Sequence, residues 1–282
     1  MKKFYLLAIV TLAFVACGQK KSNEENSSEL GFKGNPISYT QTVWEAKEVS
    51  GKVVKGEIKE ISETYYNLEG NTTGYARYNP DGTLKNKSTY EYNENGKLLS
   101  KRVYDANGNI TESCTRTYLT DKEYKEEVFY KNPVEEYTEE TIYYLASANG
   151  SDCDSVYTTR SYTNGEKRTT KRIYEIIDEN TKKTYTYDSK WGNEEEINCD
   201  EIKGSTRIWK TINAKTNEVT SETHFKNGER VKDVWQKWGM VSEYEHSDFD
   251  EKGNWTTEVT FQTGKDGLRK AILIVTREFQ YE

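Results

Sequence analysis

One repeated phrase constrains the fold of this chain more than any other feature. An aromatic residue is followed by Asn or Asp, then by a short polar step to glycine. It reads Tyr78-Asn79-Pro80-Asp81-Gly82, Tyr92-Asn93-Glu94-Asn95-Gly96, Tyr104-Asp105-Ala106-Asn107-Gly108 and Phe249-Asp250-Glu251-Lys252-Gly253. A copy one residue longer runs from Tyr187-Asp188 to Gly192. The Asn or Asp side chain accepts from nearby backbone N–H groups as an Asx-turn. Glycine takes the positive φ that closes a hairpin turn with a bulge. The aromatic residue ends the incoming strand and packs on the sheet. Each copy therefore predicts a β-hairpin.

Shorter turn phrases fill the gaps: Leu68-Glu69-Gly70-Asn71, Asn149-Gly150, Asn164-Gly165, Asp178-Glu179-Asn180, Asn213 to Asn217, Asn227-Gly228 and Lys265-Asp266-Gly267. Turn centres recur about every 13 residues, the rhythm of consecutive hairpins. Runs between them, such as Thr206 to Ile212 and Lys183 to Tyr187, alternate with period two, as strands with distinct faces do. Leu268 to Tyr281 reads the same way, and no stretch of helical period stands out. The chain holds 22 Tyr and only 3 Pro, a composition suited to strands. The expected architecture is all-β: an antiparallel meander of consecutive hairpins, a repeat-built curved sheet or partly closed shell over residues 37–282, with a thin core.

Tyr90-Glu91-Tyr92-Asn93-Glu94-Asn95-Gly96-Lys97-Leu98 and Tyr104-Asp105-Ala106-Asn107-Gly108-Asn109-Ile110 resemble YD repeats of the RHS type. Phe249-Asp250-Glu251-Lys252-Gly253-Asn254-Trp255-Thr256 is similar to repeats of Bacteroidetes lipoproteins. The matches cover residues 75–112, 184–193 and 244–261. The resemblance implies antiparallel hairpins that wind a sheet into a shell. The chain is much shorter than toxin-carrying RHS proteins and lacks the cleavage motif of their core. Tyr92 to Leu98 also resembles, more distantly, MORN-type repeats.

The N-terminus reads as a signal. Met1-Lys2-Lys3 is basic, Phe4 to Ala16 is apolar apart from Thr11, and Cys17 ends the run. The run is shorter than the roughly 20 residues that a spanning helix needs, and it has the layout of a secretory signal. Phe14-Val15-Ala16-Cys17 resembles the lipobox of bacterial lipoproteins, with Phe14 in place of the usual Leu. That resemblance implies cleavage after Ala16, acylation of Cys17 and a membrane partner through the lipid. The alternative is an ordinary signal peptide with Cys17 incidental. Gly18 to Glu29 has no apolar side chain, so it cannot offset its chain entropy by burial and reads as a tether. Gln19-Lys20 followed by Glu24-Glu25 resembles the export signal of surface-exposed lipoproteins, and a generic linker reads equally well. The expected organisation is residues 1–16 signal peptide, 17–36 acylated cysteine and flexible tether, and 37–282 the β domain. The expected location is an outer membrane, facing outward.

With 47 acidic against 40 basic residues, the chain speaks against a nucleic-acid partner, which calls for a basic face. Phosphate-loop, dinucleotide, zincin and nucleophile-elbow motifs do not occur. His224 and His246 stand alone, and we assign no metal and no cofactor. Asp248 to Gly253 begins like a calcium loop, but Lys252 and Val259 fall on ligand positions, so it reads as a turn. Carboxylates such as Glu194-Glu195-Glu196 are too many to single out a catalytic pair. Cys114, Cys153 and Cys199 allow at most one disulfide, and their spacing favours no pairing.

Trp235, Trp238 and Trp255 are the candidate binding residues, as aromatic faces for a sugar or peptide; the competing reading makes them core. Asp154-Ser155-Val156 fits the O-glycosylation pattern of Bacteroidetes, with Ser155 as acceptor. The expected function is a non-catalytic surface module that binds a glycan, protein or envelope component. The alternatives are a hydrolase using a carboxylate pair and an immunity-like partner of a toxin.

Overall fold

The computed structural model describes residues 32–132, 135–145, 153–178, 180–190 and 192–281. Cys17, the signal segment, the tether through Gly31 and the Asn149-Gly150 turn lie outside these residues. The strands are β1 (Ser38–Val49), β2 (Lys52–Tyr66), β3 (Thr72–Tyr78), β4 (Leu84–Tyr92), β5 (Leu98–Asp105), β6 (Ile110–Thr120), β7 (Glu123–Lys131), β8 (Glu136–Leu145) and β9 (Cys153–Tyr162). They continue as β10 (Lys167–Asp178), β11 (Thr181–Asp188), β12 (Gly192–Lys203), β13 (Thr206–Asn213), β14 (Val219–Lys226), β15 (Glu229–Trp235), β16 (Met240–Phe249), β17 (Trp255–Thr263) and β18 (Arg269–Gln280). The one helical element among the described residues is a 3-10 turn, Gln236–Trp238.

The repeated phrase builds the turns it predicts. Its glycines, Gly82, Gly96, Gly108, Gly192 and Gly253, all lie at φ between 71° and 87°. In four copies one backbone pair repeats: Gly N–H donates to the Asn or Asp carbonyl three residues back, as Gly108 does to Asp105 at 3.1 Å. The side chains of Asn93, Asp105 and Asp250 accept from the N–H groups two and four residues on. In the first copy Asp81 does this instead of Asn79, accepting from Thr83. The phrase aromatic then faces the first apolar residue of the outgoing strand: Tyr78 opposite Leu84, Tyr92 opposite Leu98, Tyr104 opposite Ile110, Phe249 opposite Trp255. A cross-strand pair of an aromatic with an aliphatic residue, or with Trp255 in the last copy, thus locks each register.

All sequential neighbours pair antiparallel, and β1 pairs with both β2 and β18. The sheet is therefore a closed 18-stranded up-and-down barrel, not the partly open curved sheet expected from the sequence. Closure gives the edges of β1 and β18 a partner, the physical reason a long meander does not stay open. A ring of this strand number leaves an aqueous interior. Strong contacts between elements are all between sheet neighbours, with the 3-10 turn against β14 as the sole addition.

No second layer covers the sheet among the described residues, and the row that carries the cross-strand ion pairs Arg116–Glu126 and Arg160–Glu139 and most of the buried polar residues faces the interior. In β4 this row is Asn86, Ser88 and Tyr90, while Lys85, Lys87, Thr89 and Glu91 are exposed. In β8 it is Tyr137, Glu139, Thr141 and Tyr143. The interior is polar. On the inward row the buried residues are mostly polar, Ser62, Thr64, Ser88, Glu126, Thr141, Asp233, Ser242 and Thr260 against Tyr66, Val156 and Val275. Inward cations pair with inward carboxylates: Arg77 with Glu60, Arg116 with Glu126, Arg160 with Glu139, Arg168 with Asp188.

The outward row is charged around the ring. Lys125, Glu127 and Glu140 sit on β7 and β8, Lys183 and Glu195 on β11 and β12, Lys210 and Glu201 on β13 and β12, and Glu243 and Glu245 on β16. A barrel wall in a bilayer presents an apolar band with aromatic girdles. This wall presents ion pairs on β7, β8, β11, β12, β13 and β16. No helix among the described residues is long and apolar enough to cross a membrane.

Candidate functional site

Two clusters stand out, one inside the barrel and one on its wall. The inner one lies on β15 to β18. Asp233 on β15 is 1% exposed. It accepts from Arg230, partly through Nε at 2.9 Å, and from the Tyr244 hydroxyl at 2.6 Å. Burial first, and that hydrogen bond second, push the Tyr244 phenol well above its ordinary pKa.

Beside it, His246 on β16 lies between two carboxylates. Nδ1 is 3.0 Å from Glu229 and Nε2 is 2.9 Å from Glu258. The imidazolium form satisfies both, donating from each nitrogen. Burial alone would lower the pKa of His246, but the two glutamates outweigh it and raise it. Its ring stacks on Trp255 at 4.7 Å and 7°. From the other flanking strand, β18, the Arg277 guanidinium approaches the same indole at 3.7 Å.

Arg277 is largely desolvated, which lowers its pKa. Its Nε donates to Gln41 Oε1 at 3.0 Å, and Phe32 and Tyr39 complete an aromatic surround at 5.3 and 5.6 Å. Phe32 is itself buried at 7% exposure. Lys33 N–H donates to Asn254 Oδ1 at 2.7 Å, and Asn254 Nδ2 donates back to the Lys33 carbonyl at 2.9 Å. Residues 32–36, counted with the tether in the sequence, thus pack on the barrel. Burial of Phe32 against Tyr39 and Phe279 is the physical reason.

The carboxylates of this inner cluster are committed to internal partners, so it reads as a scaffold. Among the described residues no group of His, Cys, Asp and Glu is arranged to hold a metal.

The outer cluster spans β9, β10 and β11, beside the turn that follows β11. Tyr157, Lys171 and Tyr187 lie directly opposite one another across the three strands, on the outward row. Both tyrosines are open, at 40% and 42% exposure. The Lys171 ammonium stands 5.0 Å from the Tyr157 ring centre. The neighbouring Tyr157 phenol raises its pKa. Thr159 and Thr169, the next outward pair, line the same groove with Ser189, whose Oγ accepts from Thr169 N–H at 3.0 Å. The groove holds about 470 Å³. Two open aromatic faces, one ammonium and several hydroxyls are the equipment of a site for an extended polar ligand.

The residues selected from sequence fall elsewhere. Trp235 ends β15 opposite Met240, Trp238 is 54% exposed in the 3-10 turn, and Trp255 begins β17 opposite Phe249. Met240 and Phe249 are the two ends of β16, roughly 30 Å apart at strand rise. The three tryptophans therefore form no common platform, and Trp255 is engaged by His246 and Arg277. Ser155 lies in β9 on the outward row, opposite Tyr144 and Ile173. His224 sits on β14 beside Glu222 at 3.0 Å. Cys114 and Cys199 are free thiols, and burial pushes that of Cys114 up to about 12. The outer groove was invisible in sequence because Tyr157, Lys171 and Tyr187 are brought together by register alone.

No family model matches this chain. No curated protein matches it either. Among solved structures it is similar to a porin-like protein from Bacteroides uniformis, over 88% of this chain and 97% of that one, at 10% identity and a TM-score of 0.42. It is also similar to part of a chain in the crystal structure of TcdB2-TccC3-TEV, over 77% of this chain and 15% of that one, at 12% identity and a TM-score of 0.23. Neither likeness is close enough to argue from, and the reading of the barrel rests on its own geometry.

Proposed function

We propose that this chain is a non-catalytic lipoprotein of the bacterial envelope, held at the outer membrane by lipid on Cys17. Its barrel stands in water, faces outward and binds an extended ligand along its wall. The observation that carries this reading is the charge on the outer wall. Ion pairs such as Lys183–Glu195 and Arg269–Glu243 suit water and would be costly against lipid. Attachment then falls to the N-terminus, where the lipobox-like segment supplies a cysteine for acylation. The non-catalytic part is supported by the buried carboxylates. Glu126 is taken up by Arg116, Asp233 by Arg230 and Glu258 by His246.

Fractionation of cells expressing the full chain tests the anchor. The wild-type protein should partition with membranes and be removed by detergent. Cys17→Ala should move most of it to the soluble fraction. A Cys17→Ala protein that stays in membranes washed with high salt would refute the anchor. Protease added to intact cells should cut the wild-type protein; full protection would place it on the inner side.

A further inference from the structure

We propose that the groove over Tyr157, Lys171 and Tyr187 is a binding site for an acidic oligosaccharide, one whose extended chain carries a carboxylate. This deepens the binding role proposed above and rests on it. Tyr157 and Tyr187 are separated by one strand, so their outward faces are about 9.5 Å apart, two inter-strand spacings. That is close to the span of a disaccharide unit in an extended glycan. Tyr187 offers an open ring for the apolar face of a pyranose, while Tyr157, with Lys171 at 5.0 Å from its ring centre and Tyr144 edge-on at 5.7 Å, offers its remaining exposed surface. Thr159, Thr169 and Ser189 add short hydroxyls along one side of the groove, at the height where sugar hydroxyls would lie.

Lys171 sets the charge of the ligand. It stands on the strand between the two rings, and among the described residues no carboxylate lies within ion-pair distance of it; Asp188, which also lines the groove, is paired with Arg168. Its neighbours on the same wall are different: Lys183 meets Glu195 at 3.2 Å and Lys125 meets Glu127 at 3.2 Å. Lys171 stands over the Tyr157 ring instead, so its donors are available to an incoming anion. The wall is built of backbone-paired strands, so the three side chains are fixed in register before any ligand arrives, which lowers the ordering cost of binding.

The test uses the full-length, detergent-solubilised protein and two probes, oligosaccharides of galacturonic acid and neutral cello-oligosaccharides of equal length, followed by calorimetry. The acidic probe should bind at least tenfold more tightly than the neutral one. Tyr157→Ala and Tyr187→Ala should each weaken the acidic probe at least tenfold. Lys171→Met should bring the acidic probe down to the level of the neutral one and leave the neutral one unchanged. These side chains are on the surface, so far-UV circular dichroism and melting should match wild type. No binding of the acidic probe at millimolar concentration, equal binding of both probes, or undiminished binding by folded tyrosine variants would overturn the proposal. Loss of the groove leaves membrane fractionation unaltered, so its failure and that of the anchor are read separately.

Discussion

At Asp233 the barrel has taken a carboxylate almost wholly out of water and given it a guanidinium and a phenol in return. Such a group is tolerated only while those partners remain. Asp233→Asn keeps the shape and removes the charge, leaving Arg230 without its anion. Arg230 retains some contact with solvent, so the expected loss is about 1.5–3 kcal/mol, the range for hydrogen bonds to charged groups. Urea unfolding measures it, and a change below about 0.5 kcal/mol would mean the pair is not desolvated as described. His246 makes a second prediction. Its folded pKa lies above the unfolded value, so the folded state binds the proton more tightly. The stability it contributes is complete below the unfolded value, near 6.5, and is lost as pH rises through the higher folded value. The melting temperature of wild type should therefore exceed that of His246→Gln by more at pH 6 than at pH 9. A difference that is the same at both pH values would show that His246 is not charged in the fold. Neither residue announced itself in the sequence. Both are single polar residues in alternating strands, and only the register brings Tyr244 to Asp233 and Glu258 to His246.

The hairpin was the legible element, because its chemistry is local. An Asx side chain, a positive-φ glycine and an aromatic residue act within five consecutive residues, so sequence alone located the turns at Gly82, Gly96, Gly108 and Gly253. Gly108 isolates one part of that chemistry. A Cβ there would meet nothing within 4 Å, so Gly108→Ala should cost only the left-handed backbone, about 1–2 kcal/mol, with no steric contribution. Gly108→Asn, which tolerates that region better, should recover part of the loss in a thermal melt; equal losses for Ala and Asn would contradict the turn geometry. The β1–β2 hairpin obeys a different rule. It runs past its neighbours, since β18 leaves β1 at Glu45 and β3 leaves β2 at Ile61. Its protruding arm carries Lys47, Lys52, Lys55 and Lys59, and register shifts around Trp44 bend it. Charged side chains and bulges are how exposed strand edges avoid pairing with other chains. The outer groove was not legible for the opposite reason to the turns. Tyr157, Lys171 and Tyr187 become neighbours only when two hairpins fix the register of three strands.

Closure belongs to the whole molecule, and it too was hidden from local reading. Hairpin rhythm determines that strands follow one another antiparallel; it does not say whether the last strand meets the first. The meeting depends on one seam, where Ser38 faces Gln280 and Val43 faces Val275, residues more than two hundred positions apart. Both seam strands carry a continuous inward row, Tyr39, Gln41 and Val43 against Phe279, Arg277 and Val275, so the polar and aromatic lining passes across the join without a break. Closure also explains how a chain with so few buried apolar residues holds together. Each strand hydrogen-bonds on both sides, and the ion pairs and aromatic contacts of each face are made between neighbours around the ring. The seam gives the test. Directly opposed residues in an antiparallel pair have Cα atoms about 4.5–5.5 Å apart, within the range a disulfide bridges. Val43→Cys combined with Val275→Cys should therefore form an intramolecular disulfide under oxidising conditions, seen as faster migration on a non-reducing gel. It would close a very long loop and raise stability by about 4–5 kcal/mol, on the order of 10 °C in melting temperature, reversed by reductant. The single variants, which retain the native cysteines, should show neither effect. If the double variant forms no bond while remaining folded, β1 and β18 do not meet and the sheet is open.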